Sequence, residues 1–136
     1  MERKIIIDGE PTGKGRPRFS RNGHAYTPGK TVTYENNVRF AYLSEYGRVK
    51  FPETAQLRLE VLAFFGIAKS DSKKKRAAKL ANEIRPTKKP DMDNIVKAIA
   101  DGLNNIAYHD DAQIVECSVE KYFSEEPRVE VTIREV

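Results

Sequence analysis

Alternation of apolar and polar side chains predicts four β-strands along the chain. Residues 3–8 contain three consecutive isoleucines and are predicted to form the first strand. Over residues 56–65, 113–123 and 128–134, apolar side chains recur at every second position, as in a strand with one buried face. A short turn at residues 125–127 separates the last two strands, so we predict that they form a hairpin.

Helical periodicity predicts three helices between these strands. Residues 29–46 repeat apolar side chains at three- and four-residue spacing, with Pro28 suited to the start of the helix and Gly47 to its end. A second, basic helix is predicted over residues 70–84.

The third helix is the best defined of the three. It begins at Asp91 or Asp93, after a loop at residues 85–90 that contains two prolines. One side of this helix is an apolar stripe, which comprises Ile95, Ala98, Ile99, Gly102, Leu103 and Ile106. The opposite side carries Asp93, Lys97 and Asp101, which are spaced four residues apart.

The element order β-α-β-α-α-β-β predicts an α+β (mixed α/β) fold, with a small mixed sheet and helices packed on one face. The 136 residues show no repeat and no long linker, so we expect a single domain over residues 1–136. Cys117 is the only cysteine, which excludes an internal disulfide, and its place in an alternating pattern predicts a buried thiol. The apolar stretch at Ile5–Ile7 is too short for a signal peptide or a membrane span, so we expect a cytoplasmic protein.

Positive charge is concentrated in two segments. Residues 69–89 contain nine basic and two acidic side chains, and residues 9–30 contain five basic and one acidic, although the net charge of the chain is only +4. This distribution favours a polyanionic partner, and two solvated loops without a ligand are the alternative. Phe19 lies among the basic side chains; if the partner is a nucleic acid, Phe19 is suited to stack on its bases, and packing into the core is the alternative. The basic side chains that are candidates for contact with such a partner are Lys14, Arg16, Arg18, Arg21, Lys73, Lys74, Lys75, Arg76, Lys88 and Lys89.

Five of the seven aspartates lie in one 21-residue window. Asp91 and Asp93 lie at the start of the third helix, and Asp110 and Asp111 lie between that helix and the next strand. If the chain brings the two pairs together, their charges repel unless a hard divalent cation such as Mg²⁺ binds them. An ion held in this way can bind a phosphate oxygen and activate water for attack on it, and Lys97 is suited to balance charge in the transition state or to position the attacking water.

An entirely structural explanation fits the same residues. Side chains four apart on a helix suit ordinary ion pairs, the first two aspartates suit a helix cap, and the last two suit a turn. A calcium-binding loop is excluded, because Ile95 and Val96 occupy the positions that need an oxygen ligand and a glycine. His109 beside Asp110 is either a proton shuttle or a simple turn residue.

Two blocks of the sequence resemble the RusA family of Holliday junction resolvases. Residues 89–97 read KPDMDNIVK and are followed by Asp101, and residues 110–115 read DDAQIV. Residues 14–19 and 26–28 resemble family members of phage and prophage origin. The likeness covers nearly the whole chain in order and length.

The resemblance implies a homodimeric endonuclease that needs Mg²⁺, or Mn²⁺ in its place, and resolves four-way DNA junctions by paired symmetric nicks. The catalytic residues that it implies are Asp91, Asp93, Lys97 and Asp111, and the metal ligands are Asp91, Asp93, Asp110 and Asp111. Pro90 departs from the family, in which some members have a basic residue there, and Lys88 or Lys89 would then make that DNA contact. A binding module without catalysis and a nuclease acting on RNA or other DNA structures are the alternatives.

Overall fold

A computed structural model describes residues 1–15, 18–26 and 28–136, and these residues confirm the α+β class. The helices are α1 (Gly29–Tyr46), α2 (Lys73–Leu80) and α3 (Met92–Leu103). The strands are β1 (Glu2–Asp8), β2 (Arg18–Phe19), β3 (Ala25–Tyr26), β4 (Leu57–Gly66), β5 (Ile114–Ser124) and β6 (Arg128–Glu135). The short β2–β3 hairpin lies in a segment without a predicted strand. Otherwise the order agrees with the prediction.

The four long strands form a mixed sheet in the order β1-β6-β4-β5. β6 is antiparallel to β1 and β4, whereas β5 runs parallel to β4. The predicted hairpin of the last two strands is therefore wrong, because β4 lies between them. Their connection passes over the end of β4 at Gly66, where a Cβ atom would lie only 3.2 Å from Cγ of Pro127.

α1 and α3 cover one face of the sheet, and the core lies between the helices and the sheet. α1 and α3 approach closely at Gly102, where an added Cβ would lie 2.9 Å from Cβ of Val38. The predicted stripe of α3 is buried from Ile95 to Leu103, but the helix ends there, so Ile106 lies beyond it and is partly buried. The inward side chains of β4 are Leu57, Leu59, Val61, Ala63 and Phe65, all buried. The alternation in the sequence thus identifies the buried face of the central strand correctly.

The helix predicted over residues 70–84 is shorter in the structure. Ser72 is its N-cap, because the Ser72 hydroxyl accepts a hydrogen bond of 3.1 Å from the backbone N–H of Lys75. Beyond Leu80 the helix cannot continue, since Asn82 has a φ of 63°, in the left-handed region. A long loop therefore leads from α2 to α3.

Cys117 is exposed, so the prediction of a buried thiol is wrong. In the sheet register Cys117 lies opposite Leu59, on the face that the helices cover. β5 is an edge strand, however, and the helices cover the middle of the sheet more completely than its edge. Alternation therefore indicates which face a side chain occupies but not whether another element lies above it. Among the described residues, no helix has the length and hydropathy needed to cross a membrane.

Candidate active site

A cleft of about 370 Å³ between α3 and β5 brings together four polar side chains: Asp93, Lys97 and Asp111 of the predicted site, and Asp101. Three of them come from one side of α3, as their four-residue spacing predicts. Asp111 comes from the 3-10 turn at Asp111–Gln113, which precedes β5. The chain therefore returns to α3 as the metal-site hypothesis requires for Asp93 and Asp111.

Asp91 lies at the N-cap position of α3, but its side chain makes no capping hydrogen bond. Its carboxylate instead pairs with the ammonium of Lys89 at 3.2 Å, and both side chains are at least half exposed. Asp91 is not among the residues that line the cleft. The helix-cap explanation therefore does not account for the Asp91 carboxylate, which stays available for another ligand.

Asp110 has a clear structural role in the turn before β5. Its Oδ1 accepts a hydrogen bond of 3.0 Å from the N–H of Ala112, and the Gln113 side chain completes a capping box. The N–H of Asp111 donates to Oδ1 of Asn104 at 3.0 Å, which ties the turn to the end of α3. The turn explanation is thus correct for Asp110, and the same bonds fix the position of Asp111.

The two adjacent carboxylates differ in their electrostatics. Burial raises the pKa of Asp111. The hydrogen bond with Asp110 and the negative charges of Asp110 and Asp101 raise it further, while the positive charge of Lys97 lowers it. The N–H of Ala112 lowers the pKa of Asp110. Crowded carboxylates of this kind favour a cation. The donor chemistry fits a hard divalent ion, although no three potential ligands among the described residues are already grouped around one point.

A chain of ion pairs runs from Lys97 into the space between α3 and α1. The ammonium of Lys97 lies 3.2 Å from Oδ2 of Asp101, and the ammonium of Lys14 lies 3.1 Å from the same oxygen. Lys14 also pairs with Glu35 of α1 at 2.9 Å, and Glu35 is only 8% exposed. Burial lowers the pKa of Lys14, but its bonds to Glu35 and Asp101 outweigh burial and raise the pKa overall. The charge of Lys14, a predicted DNA contact, is thus already balanced by two carboxylates.

Lys121 was not among the predicted site residues. It points to the helix side of β5, and its ammonium donates to the carbonyl oxygens of Lys88 at 2.7 Å and Pro90 at 3.0 Å. Burial lowers the pKa of Lys121, while attraction to Asp91 opposes this. Lys121 therefore holds the backbone immediately before Asp91. The available signal was a lysine at an inward position of an alternating strand.

Apart from Lys14, the predicted DNA contacts among the described residues fall into three groups. On the β2–β3 hairpin, Arg18, Phe19 and Arg21 are exposed, and Phe19 is 73% exposed, which removes the core explanation for its side chain. On α2, the exposed group is Lys73, Lys74 and Lys75, whereas Arg76 pairs with Glu125 at 3.2 Å. Lys88 and Lys89 are exposed before α3. Arg16, Pro17 and Thr27 lie outside the described residues.

An α+β domain with acidic side chains and a lysine in one cleft, flanked by exposed basic segments, has the features of a protein that acts on phosphodiesters. The sequence profile described as Endodeoxyribonuclease RusA matches residues 8–134, so the chain belongs to the RusA endodeoxyribonuclease family, which acts on branched DNA. The chain is also 42% identical over 138 residues to the uncharacterized protein YqaN of Bacillus subtilis (strain 168), covering 98% of this chain and 96% of that protein. The resemblance found in the sequence is thereby confirmed.

Proposed function

We propose that this protein is an Mg²⁺-dependent endonuclease that resolves four-way DNA junctions by paired symmetric nicks. The observation that carries the proposal is the cleft in which Asp93 and Asp111 face Lys97, in a chain of the RusA family. Exposed basic segments around the cleft supply attraction to the closely spaced phosphates of a junction. A DNA substrate inside the cell is consistent with a cytoplasmic location.

The metal ligands in this proposal are Asp91, Asp93, Asp110 and Asp111. Their hard oxygen donors suit Mg²⁺, and Mn²⁺ takes the same ligands. When bound, the ion supplies Lewis acidity toward a phosphate oxygen and water. The protein's own contribution is to hold the carboxylates in place, through the capping box at Asp110 and the bonds of Lys121 before Asp91.

Lys97 contributes positive charge at the rim of the cleft. Its side chain is 61% exposed, so it reaches the phosphate of a bound strand while Asp101 restrains its ammonium from behind. During hydrolysis a water oxygen bonds to phosphorus and one ester oxygen leaves, giving one phosphate end and one hydroxyl end. Lys97 stabilises the negative charge that builds up on the phosphate during this exchange.

Paired symmetric nicks require two active sites related by a two-fold axis, which a homodimer supplies. We therefore propose a homodimer as the active form. Light scattering coupled to size exclusion should give twice the 15.5 kDa mass of the chain. A purely monomeric protein that still made paired nicks would contradict this part of the proposal.

The decisive experiment is cleavage of a labelled four-way junction with and without Mg²⁺, comparing the wild type with Asp93→Asn. We expect paired nicks that require both the metal and Asp93, while Asp93→Asn retains junction binding. Asp8→Asn is a matched control, because Asp8 is an exposed aspartate on β1, outside the cleft. Tight junction binding without nicks in any divalent metal would instead indicate a binding module. Equal cleavage of duplex, fork or RNA would indicate a less selective nuclease.

A further inference from the structure

A second cleft, of about 540 Å³, lies where the N-terminal segment meets the start of α3. Its lining includes Lys14, Arg18, Lys30, Lys89 and Asn94, with Gly13 on its wall. These residues come from sequence positions up to 81 apart. The fold therefore joins the two basic segments of the sequence at one place.

Close backbone contacts build this cleft. The N–H of Lys14 donates to the carbonyl of Asn94 at 2.9 Å, so the N-terminal segment lies directly against α3. Gly13 permits this contact, because a Cβ there would lie 2.8 Å from Cβ of Pro90. The N–H of Gly15 donates to the Thr31 hydroxyl at 2.9 Å, which fixes the same segment to α1. The cleft is thus fixed by three separate parts of the chain.

The cleft carries positive charge that the fold leaves uncompensated. Lys14 is neutralised by Glu35 and Asp101, but neither Arg18 nor Lys30 forms an ion pair among the described residues. Lys89 is 85% exposed, and its pair with Asp91 is correspondingly weak. No carboxylate lines this cleft in the described part of the chain. Its chemistry therefore suits a phosphate group.

We propose that this cleft binds the phosphodiester backbone of one DNA strand and leads that strand to the aspartate cleft. The inference rests on the proposed nuclease function and adds Lys30 as a contact residue. Asn94 lines this cleft and its neighbour Asp93 lines the other, so both clefts include residues of the first turn of α3. Contacts to phosphate position a strand without reading its bases, as a structure-selective enzyme requires.

The test is the salt dependence of junction binding by wild type and Lys30→Gln. The probe is a fluorescent synthetic four-way junction, titrated in EDTA at several KCl concentrations, so that binding is measured without cleavage. One lost phosphate contact should reduce the slope of log K against log salt by about 0.9 and weaken binding at moderate salt by several-fold. Lys89→Gln should have a similar effect.

Lys4→Gln is the matched control, because it removes one exposed lysine charge far from the cleft. The backbone N–H of Lys4 donates a hydrogen bond to the hydroxyl of Tyr46, the last residue of α1. Lys30 lies in the first turn of that helix, and the helix axis between Lys30 and Tyr46 is roughly 24 Å long at 1.5 Å per residue. The slope of Lys4→Gln should equal that of the wild type. An unchanged slope in Lys30→Gln, or an equal change in both variants, would overturn the phosphate cleft. If these slopes were observed but the wild type never cut the junction, the nuclease proposal would be wrong, whereas the proposal of a phosphate-binding cleft would be supported.

Discussion

Lys14 and Asp101 form an ion pair of 3.1 Å that links the N-terminal segment to α3. Asp101 also pairs with Lys97, so two lysines share one carboxylate. Glu35 completes a group of two positive and two negative charges between α1 and the candidate active site. The position of the Lys97 ammonium thus depends on a residue 83 positions earlier in the chain.

Replacing Lys14 should impair both stability and cleavage. In Lys14→Met, Glu35 loses its cation inside the protein, and Asp101 is left to pair with Lys97 alone. The side chains of Lys14 and Asp101 are each about one fifth exposed, so water screens their ion pair in part. We therefore expect a loss of about 1 to 2 kcal/mol in the free energy of unfolding. Urea denaturation measures that loss. In cleavage assays over a range of junction concentrations, kcat should fall by about tenfold while KM changes little. The reason is that the variant displaces the ammonium of Lys97 but leaves DNA binding intact.

Lys14→Arg is the informative companion variant. A guanidinium has donors for both carboxylates and should restore most of kcat. If Lys14→Met changed KM and the salt slope but left kcat intact, Lys14 would be a DNA contact and not a positioning residue.

Lys121→Met should weaken metal use without removing any carboxylate. The variant keeps most of the length of the side chain but cannot donate to the carbonyls of Lys88 and Pro90, so the backbone before Asp91 is less restrained. We expect the Mg²⁺ concentration for half-maximal cleavage to rise about tenfold. Hydrogen exchange of the amides around Asp91 should become faster even without metal.

Lys79→Met is the control for this prediction, because Lys79 is a buried lysine of α2 whose ammonium pairs with Asp71, just before that helix, and not with the backbone before Asp91. It should lower stability and leave the Mg²⁺ midpoint unchanged. The same midpoint shift in both variants would show that Lys121 acts through general stability alone.

Neutralising the exposed lysines of α2 should reduce the electrostatic part of DNA binding. The triple variant Lys73→Gln, Lys74→Gln and Lys75→Gln removes three charges; within the described part of the chain, only Lys75 of these three approaches a carboxylate, at 3.7 Å from Asp71. If all three contact phosphates, the salt slope should fall by roughly 2.7. Fluorescence titration over a range of KCl measures it. A slope equal to that of the wild type would place α2 away from the DNA.

The sequence was sufficient for elements with clear end signals or strong periodicity. The bounds of α1 follow from Pro28 and Gly47 at its ends, and the buried stripe of α3 follows from its apolar spacing. The pairing of β5 and β6 was not predictable in this way, because their short connection is equally compatible with a hairpin and with a crossing over Gly66. The burial of Cys117 also depends on whether a helix lies above this part of the sheet. The spacing of apolar residues within one strand does not reveal this.

In the candidate site, too, residues within one helix were predictable from the sequence, whereas contacts between distant segments were not. Asp93, Lys97 and Asp101 share a side of one helix, so their proximity follows from spacing alone. The roles of Lys14 and Lys121 depend on contacts with residues 21 to 87 positions away, and the charge of a lysine gives no indication of its partner. The motif therefore indicated the acidic residues as candidates, whereas Lys14 was assigned to DNA contact and Lys121 was not predicted as a site residue.

Asp71 and Lys79 should make stability dependent on acid pH. The hydrogen bond from Lys79 lowers the pKa of Asp71, so this pair stabilises the fold above the pKa of the unfolded chain, about 4. Its contribution should disappear as the pH falls through the lower pKa of the native state, because the protonated carboxyl no longer attracts Lys79. Compared by urea denaturation, wild type should exceed Asp71→Asn in stability by a constant amount from about pH 5 to 8, and the difference should shrink below about pH 4. A difference that persisted at low pH would mean that packing, and not charge, explains the effect of Asp71.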